Sequence, residues 1–195
     1  MDDADLSVMQ ALQAGDDSAL NELISRHREP LHRFVYRYLR DEVAAGDIVQ
    51  ETFVRVYFKA GKYEPGSTVK TWIYTIAMNL CRDQFRRLAK RRGDLSFDDA
   101  SDGHRACVEP IDPRPGPHVQ AVQGDRFVHL QHAIDKLPHP LKAALVLSAL
   151  EGRTQKETAE ILGTTPKTVE LRVYHAKEKL RKILGALLGE EAQPG

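Results

Sequence analysis

The segment TQKETAEILGTTPKTVELRVYHAKEKL, residues 154–180, contains the strongest structural signal in the chain. Thr154 and Glu157 have the spacing of a capping box, and Gly163 follows at the position of a left-handed C-cap. Thr165 and Pro166 are then placed to begin a second helix. Two short helices joined by a tight turn predict a helix-turn-helix. The second helix has one apolar stripe, which consists of Val169, Val173, Ala176 and Leu180.

The face opposite this stripe is the candidate DNA-reading face, because an α-helix fits the width of the major groove. It contains Lys167, Leu171, Tyr174, His175 and Glu178. Arg172 and Lys177 lie on its flanks, where side chains reach phosphates more readily than bases. An ordinary helical hairpin within a bundle is the structural alternative. The cap, the glycine and the stripe together favour DNA binding.

The rest of the chain has the same helical periodicity, and no sustained alternation indicates a strand. We therefore expect an all-α fold. Pro30 is expected to kink or divide the second helix, because proline removes a backbone donor. The predicted helices cover about residues 6–14, 18–38, 44–58, 68–92, 125–136, 140–151, 155–162 and 166–188.

Residues 93–124 separate two mildly basic blocks. Residues 1–92 contain 15 Lys/Arg and 13 Asp/Glu, residues 93–124 contain 2 and 6, and residues 125–195 contain 11 and 9. The middle block is rich in Pro and Gly, which predicts a flexible linker. An Ω-loop packed on one domain is the alternative. We expect two small helical domains, 1–92 and 125–195, that move independently around the linker 93–124.

Several classes of protein are disfavoured by composition. No apolar run approaches the roughly 18 residues of a transmembrane helix, and the acidic start MDDAD does not resemble a secretory signal. Two cysteines form no disulfide framework, which fits a reducing cytoplasm; Cys81 is expected in a core. His104, Cys107 and His118 could ligate a metal, but their spacing matches no zinc pattern, so we expect no metal or cofactor. No nucleophile–base pair supports an enzyme.

A polar stripe follows the predicted helix 68–92. It consists of Thr71, Thr75, Asn79, Arg82 and Arg86, and its end is basic. Beside it lies the Pro-Gly loop Lys62–Ser67, in which Tyr63 could stack a base while the helix grips a nucleic-acid backbone. A solvated charged face is an equally good interpretation of the stripe alone.

The predicted helix 44–58 carries Asp47, Gln50 and Glu51 on an otherwise apolar surface. Carboxylates repel phosphates, so this face suits a protein partner better than DNA.

Three segments resemble bacterial RNA polymerase sigma factors. AGDIVQETF at 45–53 resembles their polymerase-binding segment, and TWIYTIAMNLCRD at 71–83 is similar to the segment that meets the −10 promoter element. Leu137-Pro138, with residues 152–169, resembles their −35-reading domain. The order, the spacing and the Pro-rich linker match the extracytoplasmic-function (ECF) subfamily. The resemblance covers about residues 16–90 and 125–185.

The resemblance implies a role for each matching position. It places core polymerase binding on the helix Asp47–Phe58, with Asp47, Gln50 and Glu51 as the matching polar positions, and we expect Phe53 and Val54 to take part. It places a pocket for a flipped −10 base at Asn79 and the loop Lys62–Ser67. Together with the polar stripe, the candidate −10 DNA-binding residues are Lys62, Tyr63, Thr71, Thr75, Asn79, Arg82 and Arg86. It places −35 reading at Glu170, Leu171, Tyr174 and His175, and we expect Lys167, Thr168 and Arg172 of the same helix to bind −35 DNA as well.

Two positions depart from the family. Leu171 stands where a small polar residue is common, and His175 where arginine is common, so the promoter sequence is not implied. The implied partners are core RNA polymerase, promoter DNA and an anti-sigma factor. A cytoplasmic protein, monomeric when free and without membrane contact, is expected.

The rival function is a free-standing helix-turn-helix repressor that binds a palindrome as a dimer. It requires a dimer surface, which the N-terminal domain would have to supply. A nucleic-acid-modifying enzyme ranks third, for lack of catalytic residues. Binding to core polymerase separates the first two functions.

Overall fold

The computed structural model describes residues 3–91 and 123–188, and all regular structure in these ranges is helical, as predicted. The N-terminal unit contains α1 (Asp3–Gln13), α2 (Ser18–Leu39), α3 (Glu42–Lys59), a 3-10 turn (Ala60–Lys62) and α4 (Val69–Arg91). The C-terminal unit contains α5 (Gln123–Asp135), α6 (His139–Leu145), a π turn (Val146–Leu150), α7 (Gln155–Leu162) and α8 (Pro166–Leu188). Within the described ranges, none of these helices is long and apolar enough to cross a membrane.

The N-terminal core lies between α2, α3 and α4, with α1 across one side. Phe34 and Tyr38 of α2, Val56 of α3 and Ile73 of α4 are fully buried. Phe34 also packs against Tyr74, with ring centroids 5.1 Å apart. Each such side chain contributes roughly 1.5–3 kcal/mol on burial, so the four helices hold one another in place.

Of the two effects expected of Pro30, a kink or a division, the division is wrong, because α2 runs unbroken from Ser18 to Leu39. The residues on both sides of Pro30, Leu23 and Leu31 among them, are buried in the same core. His27 is also tied to Asp5 of α1, with Nε2 and Oδ2 2.8 Å apart. This packing offsets the roughly 3 kcal/mol cost of an internal proline.

The helix-turn-helix forms as the sequence predicted. The Thr154 hydroxyl accepts from the Glu157 amide, and the Glu157 carboxylate accepts from the Thr154 amide. Gly163 has φ 64°, the left-handed conformation that glycine adopts without strain. The Thr165 hydroxyl accepts from the Thr168 amide at 3.2 Å and so caps α8. Val169 and Ala176 are fully buried, which confirms the position of the apolar stripe.

The predicted helix 140–151 is shorter than expected. It changes after Leu145 into the π turn, in which the Glu151 amide donates to the Val146 carbonyl at 3.0 Å. The wider turn buries Val146 and Leu147 together and leaves Leu150 exposed. Val146 and Leu147 of this turn belong to a cluster of buried side chains that includes the N-terminal unit, a contact that helical periodicity does not reveal.

The two units pack against each other in this structure, and their independent movement around the linker stays a prediction. Leu147 and Ile161 belong to the same cluster of buried side chains as Tyr38 and Tyr74 of the N-terminal unit. A second cluster, formed by α5, α6 and α8, lies wholly in the C-terminal unit. Linker composition predicts how freely two units can separate, but not whether their faces are complementary. Residues 93–122 of the expected linker lie outside the described residues.

Candidate nucleic-acid and protein interfaces

An exposed face follows the length of α3. Asp41 begins the helix, since its side chain accepts from the Ala44 amide at 3.0 Å. Asp47, Gln50 and Glu51 are exposed, as predicted. The apolar surface expected around them is also exposed, and it includes Val43 (76% exposed), Tyr57 and Phe58 (77% exposed). The sequence contains this pattern, because Val43, Asp47, Val54 and Phe58 are spaced at helical intervals.

One residue of α3 that was expected to bind the polymerase is buried instead. Phe53 is only 5% exposed and packs in the N-terminal core, so it cannot contact a partner. Val54, the next residue, is 43% exposed and remains on the candidate face. A helix turns about 100° per residue, and one position therefore separates core from surface.

The polar stripe of α4 is exposed over its second half. Asn79 and Arg86 are exposed, and Arg82 is half-buried. Arg82 Nη1 donates to Asn79 Oδ1 at 3.2 Å, and its Nη2 donates to the Leu162 carbonyl of α7 at 3.0 Å. The Thr75 hydroxyl donates to the Thr71 carbonyl and so is engaged within the helix. The stripe thus presents the amide of Asn79 beside the positive charges of Arg82 and Arg86.

Two candidates in this region are buried, contrary to the expectation. Thr71 is 1% exposed, and its side chain accepts from the Thr68 hydroxyl at 2.9 Å. Tyr63 is 6% exposed, its hydroxyl donates to the Ser67 carbonyl, and its ring lies edge-on to Trp72. Tyr63 therefore braces the loop instead of offering a stacking surface. Lys62 is exposed beside it.

Sequence reasoning missed the residue that holds this loop. Gln13 of α1 donates through Nε2 to the Ala60 carbonyl at 2.9 Å and to the Tyr63 carbonyl at 3.0 Å. No local pattern could reveal it, because the contact spans about fifty positions.

A cleft of about 290 Å³ opens beside the loop. Pro65, Ser67 and Lys70 line one side, and Arg153 and Glu157 of the C-terminal unit line the other. The Arg153 guanidinium lies 4.1 Å from the centroid of the Tyr74 ring, within cation–π range. The cleft therefore belongs to both units.

The candidate reading face of α8 points into solvent. Tyr174 is 60% and Leu171 48% exposed, and His175 is exposed beside Tyr174. Lys167 and Glu170 are exposed and form an ion pair at 3.0 Å. Thr168 and Arg172 are half-buried. Burial is the main cause that lowers the pKa of Arg172, and the positive charge of Arg82 adds to it.

Polar contacts also join the two units. Arg37 of α2 donates to Glu151 at 2.7 Å and to the Leu150 carbonyl at 3.1 Å. Tyr38 hydrogen-bonds His139, which lies at the start of α6. Burial is the main cause that lowers the pKa of His139 to about 3, so this imidazole is neutral at pH 7.

Side chains that could ligate a metal ion are scattered in the described ranges. Residues 3–91 and 123–188 contain no group of three side chains placed to hold a metal ion. His104, Cys107 and His118 lie outside these residues. Cys81 packs in the core, as predicted, and burial raises the pKa of its thiol to about 12.

Comparison with known proteins places both units in one family. Residues 23–92 match the family described as Sigma-70 region 2, and residues 128–180 match Sigma-70, region 4. The ECF RNA polymerase sigma factor SigE of Mycolicibacterium smegmatis is 32% identical over 182 residues, which cover 92% of this chain and 68% of that protein. The RNA polymerase sigma factor CarQ of Myxococcus xanthus is 31% identical over 185 residues, which cover 95% of this chain and 100% of that protein.

Solved structures share the fold. CnrH, in complex with the cytosolic domain of CnrY, has a TM-score of 0.68 and 24% identity, and the match covers 94% of this chain and 99% of that one. RpoE of Bartonella quintana, in complex with the anti-sigma factor NepR, has a TM-score of 0.61 and 22% identity, with 84% and 95% covered. Two matched regions in the family's order, and relatives matched over most of their length, show that the chain belongs to the ECF subfamily of RNA polymerase sigma factors.

Proposed function

We propose that this sigma factor reads a −35 element with α8 and a −10 element with α4 and the loop Lys62–Ser67. The exposed face of α8 carries this proposal, because Leu171, Tyr174 and His175 project from a helix whose opposite stripe is buried. Side chains on that face can contact base edges without disturbing the core. Arg172, on the flank, is placed for phosphate contact.

We assign recognition of the −10 element to the exposed part of α4. An amide side chain such as that of Asn79 can both donate to and accept from a base edge. Arg82, Arg86 and Lys62 supply positive charge around it. Thr71 and Tyr63 act by shaping the loop, since both are buried.

The core polymerase contact is assigned to the exposed face of α3. Asp47, Gln50 and Glu51 provide polar contacts, and Val43, Val54 and Phe58 provide apolar area. Apolar residues that remain solvent-exposed beside charged ones are typical of a protein interface. The protein catalyses no reaction in this scheme, because RNA synthesis is carried out by the polymerase, and it acts in the cytoplasm, where the polymerase is.

An anti-sigma factor is the proposed regulator. RpoE of Bartonella quintana shares the fold and was solved with the anti-sigma factor NepR. We propose that the present protein is monomeric when free and is held by a protein of that functional class.

Run-off transcription with core polymerase on fragments of the source genome tests the function. We expect discrete transcripts that require the protein, and their start points identify the promoter. A failure to co-purify with core polymerase, together with dimeric binding to a palindrome, would support the repressor instead.

A further inference from the structure

We propose that Gln13 of α1 is a positioning residue for recognition of the −10 element: it holds the loop Lys62–Ser67 in the shape that receives the DNA strand. The inference rests on the −10 function proposed above and adds a further residue to that function. Gln13 is the last residue of α1, and this helix precedes residue 23, where the match to Sigma-70 region 2 begins.

The contact is a pair of hydrogen bonds to the backbone at the start of the loop. Gln13 Nε2 donates to the Ala60 carbonyl at 2.9 Å and to the Tyr63 carbonyl at 3.0 Å. A side-chain amide nitrogen has two protons, so both of its donors are used here. The Tyr63 amide also donates to the Ala60 carbonyl at 2.9 Å. Together these bonds fix the direction in which the chain leaves the 3-10 turn.

The helix α1 is anchored to the rest of the N-terminal unit, so it can hold the loop in place. Met9 is fully buried in the N-terminal core. Near the start of the helix, Asp5 accepts from Arg26 at 2.9 Å and lies 2.8 Å from His27 Nε2. The Asp5 side chain is only 10% exposed, and a carboxylate with so little water depends on these partners. Gln13 therefore reaches the loop from a fixed support.

Tyr63 connects this restraint to the part of the loop that DNA can reach. Its hydroxyl donates to the Ser67 carbonyl at 2.7 Å, and its ring lies edge-on to Trp72 of α4, with centroids 5.4 Å apart. Residues 64–66, which lie between these contacts, are exposed, and so is Lys62. A donor on the Tyr63 carbonyl therefore sets the path of the exposed residues on both sides of it.

A loop that is held before binding captures a strand more tightly, because less conformational freedom is lost when the complex forms. Without the Gln13 amide, the Tyr63 carbonyl loses this donor and the loop gains alternative conformations. Removal of two hydrogen bonds of ordinary strength then corresponds to about ten-fold weaker capture of the strand.

The test uses the full chain bound to core polymerase. Gln13→Leu removes the donors, Gln13→Glu places oxygens against the two carbonyls, and Gln13→Lys keeps donors on a long side chain. The same three changes at Gln10 are the matched controls, because Gln10 is an exposed glutamine of the same helix and its variants alter the charge equally. The probe is a labelled single strand that carries the −10 sequence of the promoter identified by run-off transcription. Fluorescence anisotropy measures its binding.

We expect Gln13→Leu to weaken strand binding about ten-fold, Gln13→Glu to weaken it further, and Gln13→Lys to remain close to wild type. The changes at Gln10 are expected to leave strand binding nearly unaltered. Binding to core polymerase and the selection of −35 bases are expected to stay at the wild-type level in every variant, which a loss of folding would not allow. Hydrogen exchange of the amides in residues 60–67 is expected to quicken in Gln13→Leu, whereas exchange in α2 stays slow.

Wild-type strand binding in Gln13→Glu, together with weakened binding in Asn79→Ala, overturns the role of Gln13 and leaves the −10 function standing. Equal losses from the Gln10 and Gln13 changes, or a parallel loss of core polymerase binding, also overturn it, because they indicate a general effect of charge or stability. Binding by Gln13→Lys that is as weak as that by Gln13→Leu overturns the role of the donors and the proposal with it. Equal binding by wild type, Asn79→Ala and Gln13→Glu overturns the −10 function itself.

Discussion

Asn79 is the residue on which promoter opening is expected to depend most. It is exposed on α4, and Arg82 holds its amide oxygen at 3.2 Å. An ordered amide next to a cation can recognise a base edge while the cation attracts the phosphate. His175 and Leu171 are the corresponding exposed residues on α8.

Asn79→Ala is expected to impair promoter opening more than initial binding of the closed complex. The lost base contact costs roughly 1–3 kcal/mol, which is about a ten- to hundred-fold effect. Permanganate footprinting of the −10 region, with core polymerase present, measures the opening. Asn21→Ala is the matched control, because Asn21 is also an exposed helical asparagine. Normal melting in Asn79→Ala contradicts the assignment.

His175→Arg is expected to change which −35 bases are selected and to leave the −10 preference unaltered. An arginine can bond guanine O6 and N7 together, whereas a neutral histidine makes one such bond. Selection from a promoter library randomised at −35 measures the change. Lys179→Arg, an exposed change on the same helix, serves as the control. An unchanged selected sequence in His175→Arg shows that the reading face is wrongly assigned.

Among the described helices, α3 exposes the largest number of large apolar side chains. Its buried face carries Ile48, Val49 and Phe53, and its outer face carries Val43 and Phe58. Apolar side chains that stay exposed on the outer face of a helix, when its other face is already buried in the core, are typical of a protein-binding surface. This is the physical reason to assign α3 to core polymerase.

The combined replacement of Asp47, Gln50 and Glu51 with Ala is expected to abolish binding to core polymerase and to preserve the helix. All three side chains are exposed, and alanine favours helix formation. Co-purification measures binding, and circular dichroism measures helicity. The control replaces Asn21, Glu22 and Glu29 of α2 with Ala, which removes the same kinds of side chain. Unchanged co-purification of the α3 variant refutes the assigned interface.

At the scale of the whole molecule, a neutral histidine lies where the two units meet. His139 of α6 hydrogen-bonds Tyr38 of α2 and packs against Phe85 of α4. Burial is the largest cause that lowers its pKa to about 3, from an ordinary value of 6.5. Protonation of His139 therefore destabilises the folded protein.

The protein is expected to become less stable as the pH falls, because the folded state keeps His139 neutral. Above pH 6.5 the imidazole is neutral in both states; below it, the unfolded chain takes up a proton that the folded protein does not. The free energy of unfolding then falls by about 2 kcal/mol between pH 6.5 and 5, and continues to fall toward pH 3. Urea unfolding of wild type and His139→Gln measures the difference.

Burial also lowers the pKa of His27, so acid destabilises the protein through that residue as well. The comparison with His139→Gln isolates the contribution of His139. We expect the pH dependence of the free energy of unfolding to be smaller in the variant than in wild type by the uptake of about one proton. Equal pH slopes in wild type and His139→Gln would show that His139 is not held neutral.

The helices, the caps at Thr154 and Thr165, the left-handed turn at Gly163 and the stripe that orients α8 are predictable from the sequence. These features depend on neighbours within about four positions, so local spacing contains the information. Three other features require the folded structure: the continuous helix at Pro30, the burial of Phe53, Tyr63 and Thr71, and the core that the two units share. Each of these depends on contacts between distant residues, such as Gln13 with the Tyr63 carbonyl or Arg37 with Glu151. Helical periodicity states which residues share a face, but packing decides which face meets another helix and which meets solvent.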